Sequence, residues 1–359
     1  MGKSKNKRDL KKNLTLLDEG NLLPPKEISS NNESFSCVTL HNMYKNGKLQ
    51  IQPEFQRNFV WKPTVQTRFI DSLVKGLPIP SLWIALDYNT EERRVIDGLQ
   101  RISTIFKFLE NGKWKLNRMS DIYQKISGKL VSDIKSNSSN LYEKVENSTI
   151  PVITIRCDFS IQSHMDYLFN IFHRLNTGGQ KLTNQEVRNG IYGGNFNKLL
   201  SEIAKSEEWT KIIGKTPEID RLDNEELVLR VFAFLDKLED YTGNLAKFLN
   251  HYMSEKQNAT DNEIEAKKEV LNTTLSFICE NIDNPASVSK LNKTQKEGLL
   301  VGVCKNIENI TSKSAEEFQE MFEEFINAEE FSPENLKQGL SKKESVQPRL
   351  RKAISIFEG

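Results

Sequence analysis

The sequence predicts an α+β protein in which a small mixed β-sheet precedes a mostly α-helical domain. Between Thr39 and Cys157, short apolar runs typical of strands alternate with segments of helical periodicity. After residue 160 the strand-type runs stop and only helical patterns follow. Segregation of strands and helices along a chain is typical of α+β folds. The length of 359 residues allows about two domains of ordinary size.

Four segments are predicted to form the sheet. Residues 49–53 read as an extended segment, and apolar residues alternate with other residues over 82–86 and 150–157. Residues 94–97 form a further short apolar run. Alternation of this kind predicts strands with one buried face.

Helices are predicted between these strands. Apolar residues over 65–74 and 102–109 recur at helical spacing, and Gly76 ends the first of these helices. The polar, Ser/Asn-rich stretch 125–147 is predicted to be a loop. Three further apolar patterns of helical spacing, at 165–172, 227–238 and 318–325, follow after residue 160. The predicted parts are therefore a polar leader (1–34), a sheet-containing core (35–158) and a helical domain (159–359).

Composition excludes several classes of protein. Lys+Arg total 50 and Asp+Glu total 49, a net charge of +1, so any nucleic-acid-binding surface must be local. The four cysteines and four histidines show no zinc-binding spacing, which predicts free thiols in a reducing compartment. No apolar run reaches the ~18 residues of a membrane span. We therefore expect a cytoplasmic protein without a membrane partner.

The strand-to-helix turn at Gly98 is the most informative segment. An apolar run ends in Asp97, breaks at Gly98, and opens a helix that carries Gln100 and Arg101. The first turn of a helix presents backbone N–H groups and the positive end of the helix dipole, so the turn predicts a phosphate site. Asp97 is a candidate to hold a metal or to orient a water. The alternative is an ordinary connection, with Asp97 as N-cap and Arg101 in a surface ion pair.

An upstream cluster lies at residues 53–61. Gln56 and Arg57 stand among aromatic residues, an arrangement suited to phosphate or base contacts. The alternative is that the aromatic side chains belong to the core and that Arg57 stacks on Trp61 or pairs with Glu54.

A downstream cluster lies at residues 174–188. Two glycines followed by Thr-x-x-Glu predict a helix stop, a tight loop and a capping box, which accounts for Glu186 without any functional role. Backbone N–H groups in a Gly-Gly turn also form a concave anion nest. Gly178 and Gly179 are predicted to form this nest, and Arg174, Asn176 and Arg188 to lie around it.

In this order and spacing, the three clusters resemble a bacterial family. That family forms the N-terminal part of GmrSD-type restriction enzymes and of the SspE phage-defence protein, and is similar to the ParB/sulfiredoxin superfamily. The resemblance covers about residues 36–240 and implies a ParB/sulfiredoxin-like nucleotide-binding core whose site is completed by residues 159–240. It further implies an NTP-binding and NTP-hydrolysing component of an anti-phage or modified-DNA restriction system.

The family's signature turn most often reads Asp-Gly-Gln-Gln-Arg, and here Leu99 replaces the first glutamine. If that glutamine contacts the base or water, nucleotide preference or turnover changes; if it faces the core, little changes. Multi-domain relatives append a histidine-rich HNH nuclease, whereas His251 is the one histidine after residue 240. We therefore expect a separate effector or nuclease protein to cut DNA.

The resemblance and the residues together assign roles. The catalytic set is Asp97, Gln100 and Arg101, with Asp97 also the Mg²⁺ ligand. The nucleotide-binding and phosphate-binding set is Gln56, Arg57, Gly98, Ser103, Thr104, Arg174, Asn176, Gly178, Gly179 and Arg188. Expected ligands and partners are an NTP, Mg²⁺, DNA and a separate effector, and the sequence is compatible with a homo-oligomer.

Two other functions fit the same residues. One is a binding module that uses the phosphate site to hold DNA or a partner without turnover. The other is a DNA nickase, which needs Mg²⁺ and a second acidic residue beside Asp97, with Asp87 and Glu91 as candidates.

Overall fold

The computed structural model describes residues 25–51, 61–175, 183–214 and 222–359. These residues form an α+β fold, as the sequence predicts. They fall into two compact units. The sheet unit comprises the described residues from 25 to 175 together with 189–191, and the helical unit comprises 183–188 and the described residues from 192 to 359.

The sheet unit is organised around a mixed β-sheet. Within the described residues, five strands lie in the order β1-β5-β3-β4-β2. They are β1 (Ser29–Ser36), β2 (Leu49–Gln50), β3 (Leu82–Asp87), β4 (Arg93–Asp97) and β5 (Thr149–Cys157). β1 pairs antiparallel with β5, β5 parallel with β3, β3 antiparallel with β4, and β4 parallel with β2. β3 is the central strand, and Leu82, Ile84 and Leu86 are buried along it.

The described residues of the sheet unit also form six helices. They are α1 (Cys37–Lys45), α2 (Pro63–Lys75), α3 (Leu99–Glu110), α4 (Val131–Asn137), α5 (Ser139–Asn147) and α6 (Gln162–Leu175). α2 begins with Pro63 at its first position and ends at Gly76, which adopts the left-handed conformation. α3 buries Ile102, Ile105 and Phe106, the face that the apolar spacing predicts.

Two segments of this unit differ from the prediction. Part of the predicted polar leader forms β1, an edge strand whose polar composition is explained by its having one strand neighbour, β5. The predicted loop 125–147 contains α4 and α5. Val131, Ile134 and Val145 are buried there, so a few apolar residues at helical spacing anchor an otherwise polar stretch.

The helical unit follows α6 in the chain. Its helices are α7 (Asn184–Ile191), α8 (Asn195–Ala204), α9 (Glu207–Ile213), α10 (Asp223–Lys237), α11 (Leu245–Lys256), α12 (Asp261–Asn281), α13 (Pro285–Lys290), α14 (Lys293–Lys305), α15 (Ile307–Ile310), α16 (Ala315–Asn327) and α17 (Lys343–Glu358). The last turn of α7, residues 189–191, is grouped with the sheet unit. The sequence-predicted helices over 227–238 and 318–325 correspond to α10 and α16. α6 belongs to the sheet unit, where it packs against β4.

The cysteines are free thiols, as predicted. Cys37, Cys157 and Cys304 are buried, and burial raises the pKa of each thiol to about 12. Among the described helices, none combines the length and apolar character needed to cross a membrane.

Candidate functional site

The turn between β4 and α3 has a backbone that only glycine accommodates. Gly98 is the N-cap of α3 and has φ +93°. A Cβ at this position would lie 2.1 Å from Leu82 Cδ2 and 2.9 Å from Arg101 Nη2. Among the described residues, no side chain caps the first turn of α3. The alternative in which Asp97 is the N-cap of α3 is wrong. Gly98 occupies that position, and Asp97 is the last residue of β4.

Asp97 and Arg101 form an ion pair across this turn. Arg101 Nη2 donates to Asp97 Oδ2 at 2.9 Å, and Arg101 Nη1 donates to the Pro80 carbonyl. The Arg101 side chain is 12% exposed and that of Asp97 is 38% exposed. Burial lowers the pKa of Arg101, although the nearby Asp97 carboxylate opposes this effect. The predicted ion pair is present, and its arginine is largely buried rather than on the surface.

Gln100, Ser103 and Thr104 lie further along α3. Gln100 Oε1 accepts a hydrogen bond from the Trp61 backbone N–H at 3.2 Å. The Thr104 hydroxyl is fully buried and donates to the Gln100 carbonyl at 2.6 Å. Ser103 is buried, and within the described part of the chain its hydroxyl has no hydrogen-bond partner. Both hydroxyls belong to the second turn of the helix, one turn beyond the backbone N–H groups of the helix start. Their predicted contact with phosphate stays a prediction.

Several other predicted site residues lie outside the described residues. These are Gln56, Arg57, Asn176, Gly178 and Gly179. Arg174 is described and lies exposed in the last turn of α6. The Trp61 ring contacts Phe69 edge-on, with 5.5 Å between ring centroids, which supports a core role for this aromatic residue.

The predicted capping box at the start of α7 is confirmed. The Thr183 hydroxyl accepts from the Glu186 backbone N–H at 3.2 Å, and the Glu186 carboxylate accepts from the Thr183 N–H at 2.6 Å. These reciprocal bonds satisfy two backbone donors at the helix start.

Arg188 lies in a buried network of the helical unit. Its side chain is 1% exposed. It donates to Asn250 and Gln185 at 2.9 Å each, and to Glu226 at 3.1 Å. Burial lowers the pKa of Arg188, with the Glu226 carboxylate acting in the opposite direction. The structure thus gives Arg188 a packing role, and its predicted contact with phosphate stays a prediction.

The sequence analysis did not predict this network, which extends beyond Arg188. Glu226 also pairs with Arg230 at 2.7 Å and with Lys293 at 3.2 Å. Glu297 in turn pairs with Arg230 at 3.4 Å and with Arg349 at 3.6 Å. The available signal was the occurrence of charged residues at core positions of otherwise apolar helical patterns, where an unpaired charge is strongly unfavourable.

The helical unit is expected to lose stability in acid through Glu226. Burial alone would raise the pKa of this carboxyl, but Arg230, Arg188 and Lys293 lower it from 4.5 to about 2. The resulting stabilisation is complete above the unfolded-state pKa and disappears as pH falls through the folded-state pKa. Its loss between about pH 4.5 and pH 2 corresponds to about 3 kcal/mol.

Urea unfolding of the wild type and Glu226→Gln at pH 7 and pH 3 measures this contribution. The wild type should lose more stability on acidification than the variant. Glu316→Gln, a change at an exposed position of α16, is the matched control and should retain the wild-type pH dependence. Equal acid sensitivity of the wild type and Glu226→Gln would contradict the prediction.

The acidic pair needed for a nickase is not formed by the candidates. The Asp87 carboxylate accepts three backbone N–H groups, the closest being that of Phe159 at 2.7 Å. Burial by itself raises the pKa of Asp87, but these hydrogen bonds bring it below its ordinary value. Asp87 lies at the opposite end of the β3–β4 pair from Asp97. Glu91 belongs to the turn at that same distant end.

The fold and the turn define an α+β protein with a candidate anion site at a helix start. Residues 39–193 match the family model of the GmrSD restriction endonuclease, N-terminal domain. The match includes the β4–α3 turn and the capping box of α7. The likeness to the GmrSD-type N-terminal domain is limited to this part of the chain, which is less than half of its length. No match was found among curated proteins or among solved structures.

Proposed function

We propose that the chain is the NTP-binding and NTP-hydrolysing component of a bacterial anti-phage or modified-DNA restriction system. It acts in the cytoplasm with a separate effector or nuclease. The observation that carries the proposal is the Asp97–Arg101 pair at an uncapped helix start, within a segment that matches a restriction-enzyme domain. The ParB/sulfiredoxin-like relationship of the core is part of the proposal.

Arg101 and the backbone N–H groups at the start of α3 bind the phosphates in this proposal. The guanidinium has five N–H donors, and its bonds to Asp97 and Pro80 hold it in one orientation before a ligand arrives. A partly desolvated guanidinium interacts strongly with an anion because little water screens it. Phosphoryl transfer depends mainly on positioning and charge neutralisation, which this arrangement supplies.

Asp97 aligns the attacking water in the same proposal. Its carboxylate is the more exposed member of the ion pair, so it is accessible from solvent while Arg101 fixes one of its oxygens. Gln100 lies on the same first turn and presents a carboxamide to the ligand.

The donor set at the turn fits Mg²⁺ held mainly by phosphates. Among the described residues, no group of three or more His, Cys, Asp or Glu side chains could hold a metal ion. Mg²⁺ commonly uses one or two carboxylates together with waters and substrate phosphates, and Asp97 would be that carboxylate. When bound, Mg²⁺ supplies charge neutralisation on the phosphates.

A purified-protein assay tests the proposal. Phosphate release is measured with each of the four NTPs and Mg²⁺, with and without duplex DNA, and binding is measured by calorimetry. We expect binding and hydrolysis of at least one NTP. Nucleotide binding without turnover would support the binding-module alternative, and the absence of binding to every NTP would overturn the proposal.

DNA binding is tested in the same experiment at two salt concentrations. Phosphate contacts release counterions, so DNA affinity should fall steeply with salt if the site holds DNA backbone. Competition between DNA and the NTP would then show whether both occupy one site.

A further inference from the structure

The segment between α3 and α4, residues 111–130, carries an excess of positive charge, and we call it the basic loop. The whole chain has 50 basic and 49 acidic residues, whereas the basic loop has five basic residues and a single acidic one, Asp121. A local excess of this kind in a nearly neutral chain is typical of a surface that binds a polyanion. The five basic residues are all exposed: Lys113, Lys115, Arg118, Lys125 and Lys129.

Hydrogen bonds close the basic loop into a small ordered structure. The Leu116 N–H donates to the Lys129 carbonyl at 2.9 Å, and the Met119 N–H donates to Ser127 Oγ at 2.9 Å. Because the two ends of the loop are bonded together, its five cations share one small patch of the sheet unit. An ordered backbone also loses less conformational entropy when a ligand binds. Four apolar side chains of the loop are buried beneath the cations: Trp114, Leu116, Ile122 and Ile126.

Two carboxylates that lie at the basic loop are already paired with cations of α2. Asp121 pairs with Arg68 at 2.9 Å. Asp71 accepts a hydrogen bond from the Tyr123 N–H and pairs with Lys75 at 2.6 Å. Within the described residues, none of the five basic side chains of the loop forms an ion pair or a hydrogen bond. Their charges are therefore available to an external anion.

The basic loop lies at the opposite end of α3 from the β4–α3 turn. α3 has 12 residues, and an α-helix rises 1.5 Å per residue, so about 18 Å separates its two ends. The turn at Gly98 precedes the first residue of the helix, whereas the loop follows Glu110, its last residue. The loop is therefore a surface distinct from the candidate nucleotide site of the same unit.

We propose that the basic loop binds the phosphate backbone of double-stranded DNA. Lys, Arg and Tyr side chains contact DNA phosphates in many complexes, and such contacts position a protein on the duplex without reading its sequence. Tyr123, which is 38% exposed, adds a phenolic donor to the five cations. The choice of DNA as the polyanion rests on the proposed function, whereas the charged surface does not depend on NTP hydrolysis.

The test measures the Kd of the full-length chain for a short fluorescein-labelled DNA duplex by fluorescence anisotropy, over a series of NaCl concentrations. The triple variant Lys115→Gln, Arg118→Gln, Lys129→Gln should bind about 30-fold more weakly, since each exposed charge pair contributes up to about fivefold. The slope of log Kd against log salt should fall by about 3, because each lost phosphate contact removes about one unit. Replacing Lys115 and Lys129 with arginine should retain the affinity.

The matched control removes three positive charges from exposed positions of the helical unit, and its Kd and salt slope should stay close to those of the wild type. It is the triple variant Lys290→Gln, Lys305→Gln, Lys337→Gln. Thermal unfolding of each variant checks the fold. If the triple loop variant does not fold, the three single variants serve, each lowering the slope by about 1. Unlabelled NTP should not displace the DNA, because the two surfaces are separate.

Several results would overturn this inference: no DNA binding by the wild type at low salt, equal weakening by the loop variant and the control, or displacement of DNA by NTP. Tighter binding of duplex RNA than of duplex DNA would also overturn it. Failure of the proposed function gives a different result. A chain that binds DNA through the basic loop but neither binds nor hydrolyses any NTP would remove the nucleotide-dependent function and leave this inference standing.

Discussion

Replacing Arg101 with alanine is expected to weaken NTP binding by about 100-fold and to abolish hydrolysis. A charge-assisted pair of hydrogen bonds to phosphate contributes roughly 3 kcal/mol, which corresponds to that loss of affinity. The change also removes the partner of the Asp97 carboxylate and of the Pro80 carbonyl. We therefore expect the sheet unit to lose about 1–2 kcal/mol of stability as well.

Calorimetry measures the loss of NTP affinity, and phosphate release measures the loss of hydrolysis. Arg101→Lys should bind with intermediate affinity, because lysine keeps the charge but lacks the planar fork of donors. Arg68→Ala is the matched control: Arg68 pairs with Asp121 at 2.9 Å in the same unit, but both side chains are more than half exposed. Its loss should affect binding little. Unchanged affinity and turnover in Arg101→Ala would remove Arg101 from the site.

Replacing Gly98 with alanine is expected to destabilise the sheet unit by about 4 kcal/mol. The left-handed backbone contributes about 1–2 kcal/mol of this, and the collision of the new Cβ with Leu82 contributes the remainder. The same Cβ would crowd the Arg101 guanidinium, so nucleotide affinity should fall even where the fold survives.

Gly76→Ala separates the two contributions to this loss. Gly76 also has a positive φ, +67°, but a Cβ there would meet nothing within 4 Å. Urea unfolding should therefore show a loss of only about 1–2 kcal/mol for Gly76→Ala. Adding Leu82→Ala to Gly98→Ala should give a smaller loss than the sum of the single variants, because the collision partner is removed. Equal losses of stability for Gly76→Ala and Gly98→Ala would contradict the prediction, because they would show that Leu82 moves aside and the new Cβ at position 98 meets no collision.

Local patterns were sufficient to predict the elements that frame the turn. β4, the break at Gly98 and the helix after it follow from residues that are neighbours in sequence. The spacing of four residues between Asp97 and Arg101 likewise places them on one side of a helix start. The capping box of α7 is equally local, and it was predicted correctly.

Features that depend on distant contacts were not predicted. β1 is polar, and its strand conformation depends on β5, more than 100 residues later. The Pro80 carbonyl and Leu82, which fix Arg101 and Gly98, come from a different part of the sheet unit. The spacing of charged residues also gave no indication that Arg188 would be buried, since its partners Glu226 and Asn250 belong to later helices.

The pairing of β1 with β5 has a practical consequence for work with isolated pieces of this chain. A fragment trimmed to residues 39–193 would begin after β1 and end at the start of the helical unit. It would leave the backbone donors and acceptors of β5 open to a second molecule, an arrangement that promotes aggregation. It would also separate Arg188 from the carboxylate that neutralises it. Poor solubility of such a fragment would therefore reflect the choice of its ends. A fragment that begins at residue 25 and includes the helical unit keeps β1 paired with β5 and Arg188 paired with Glu226.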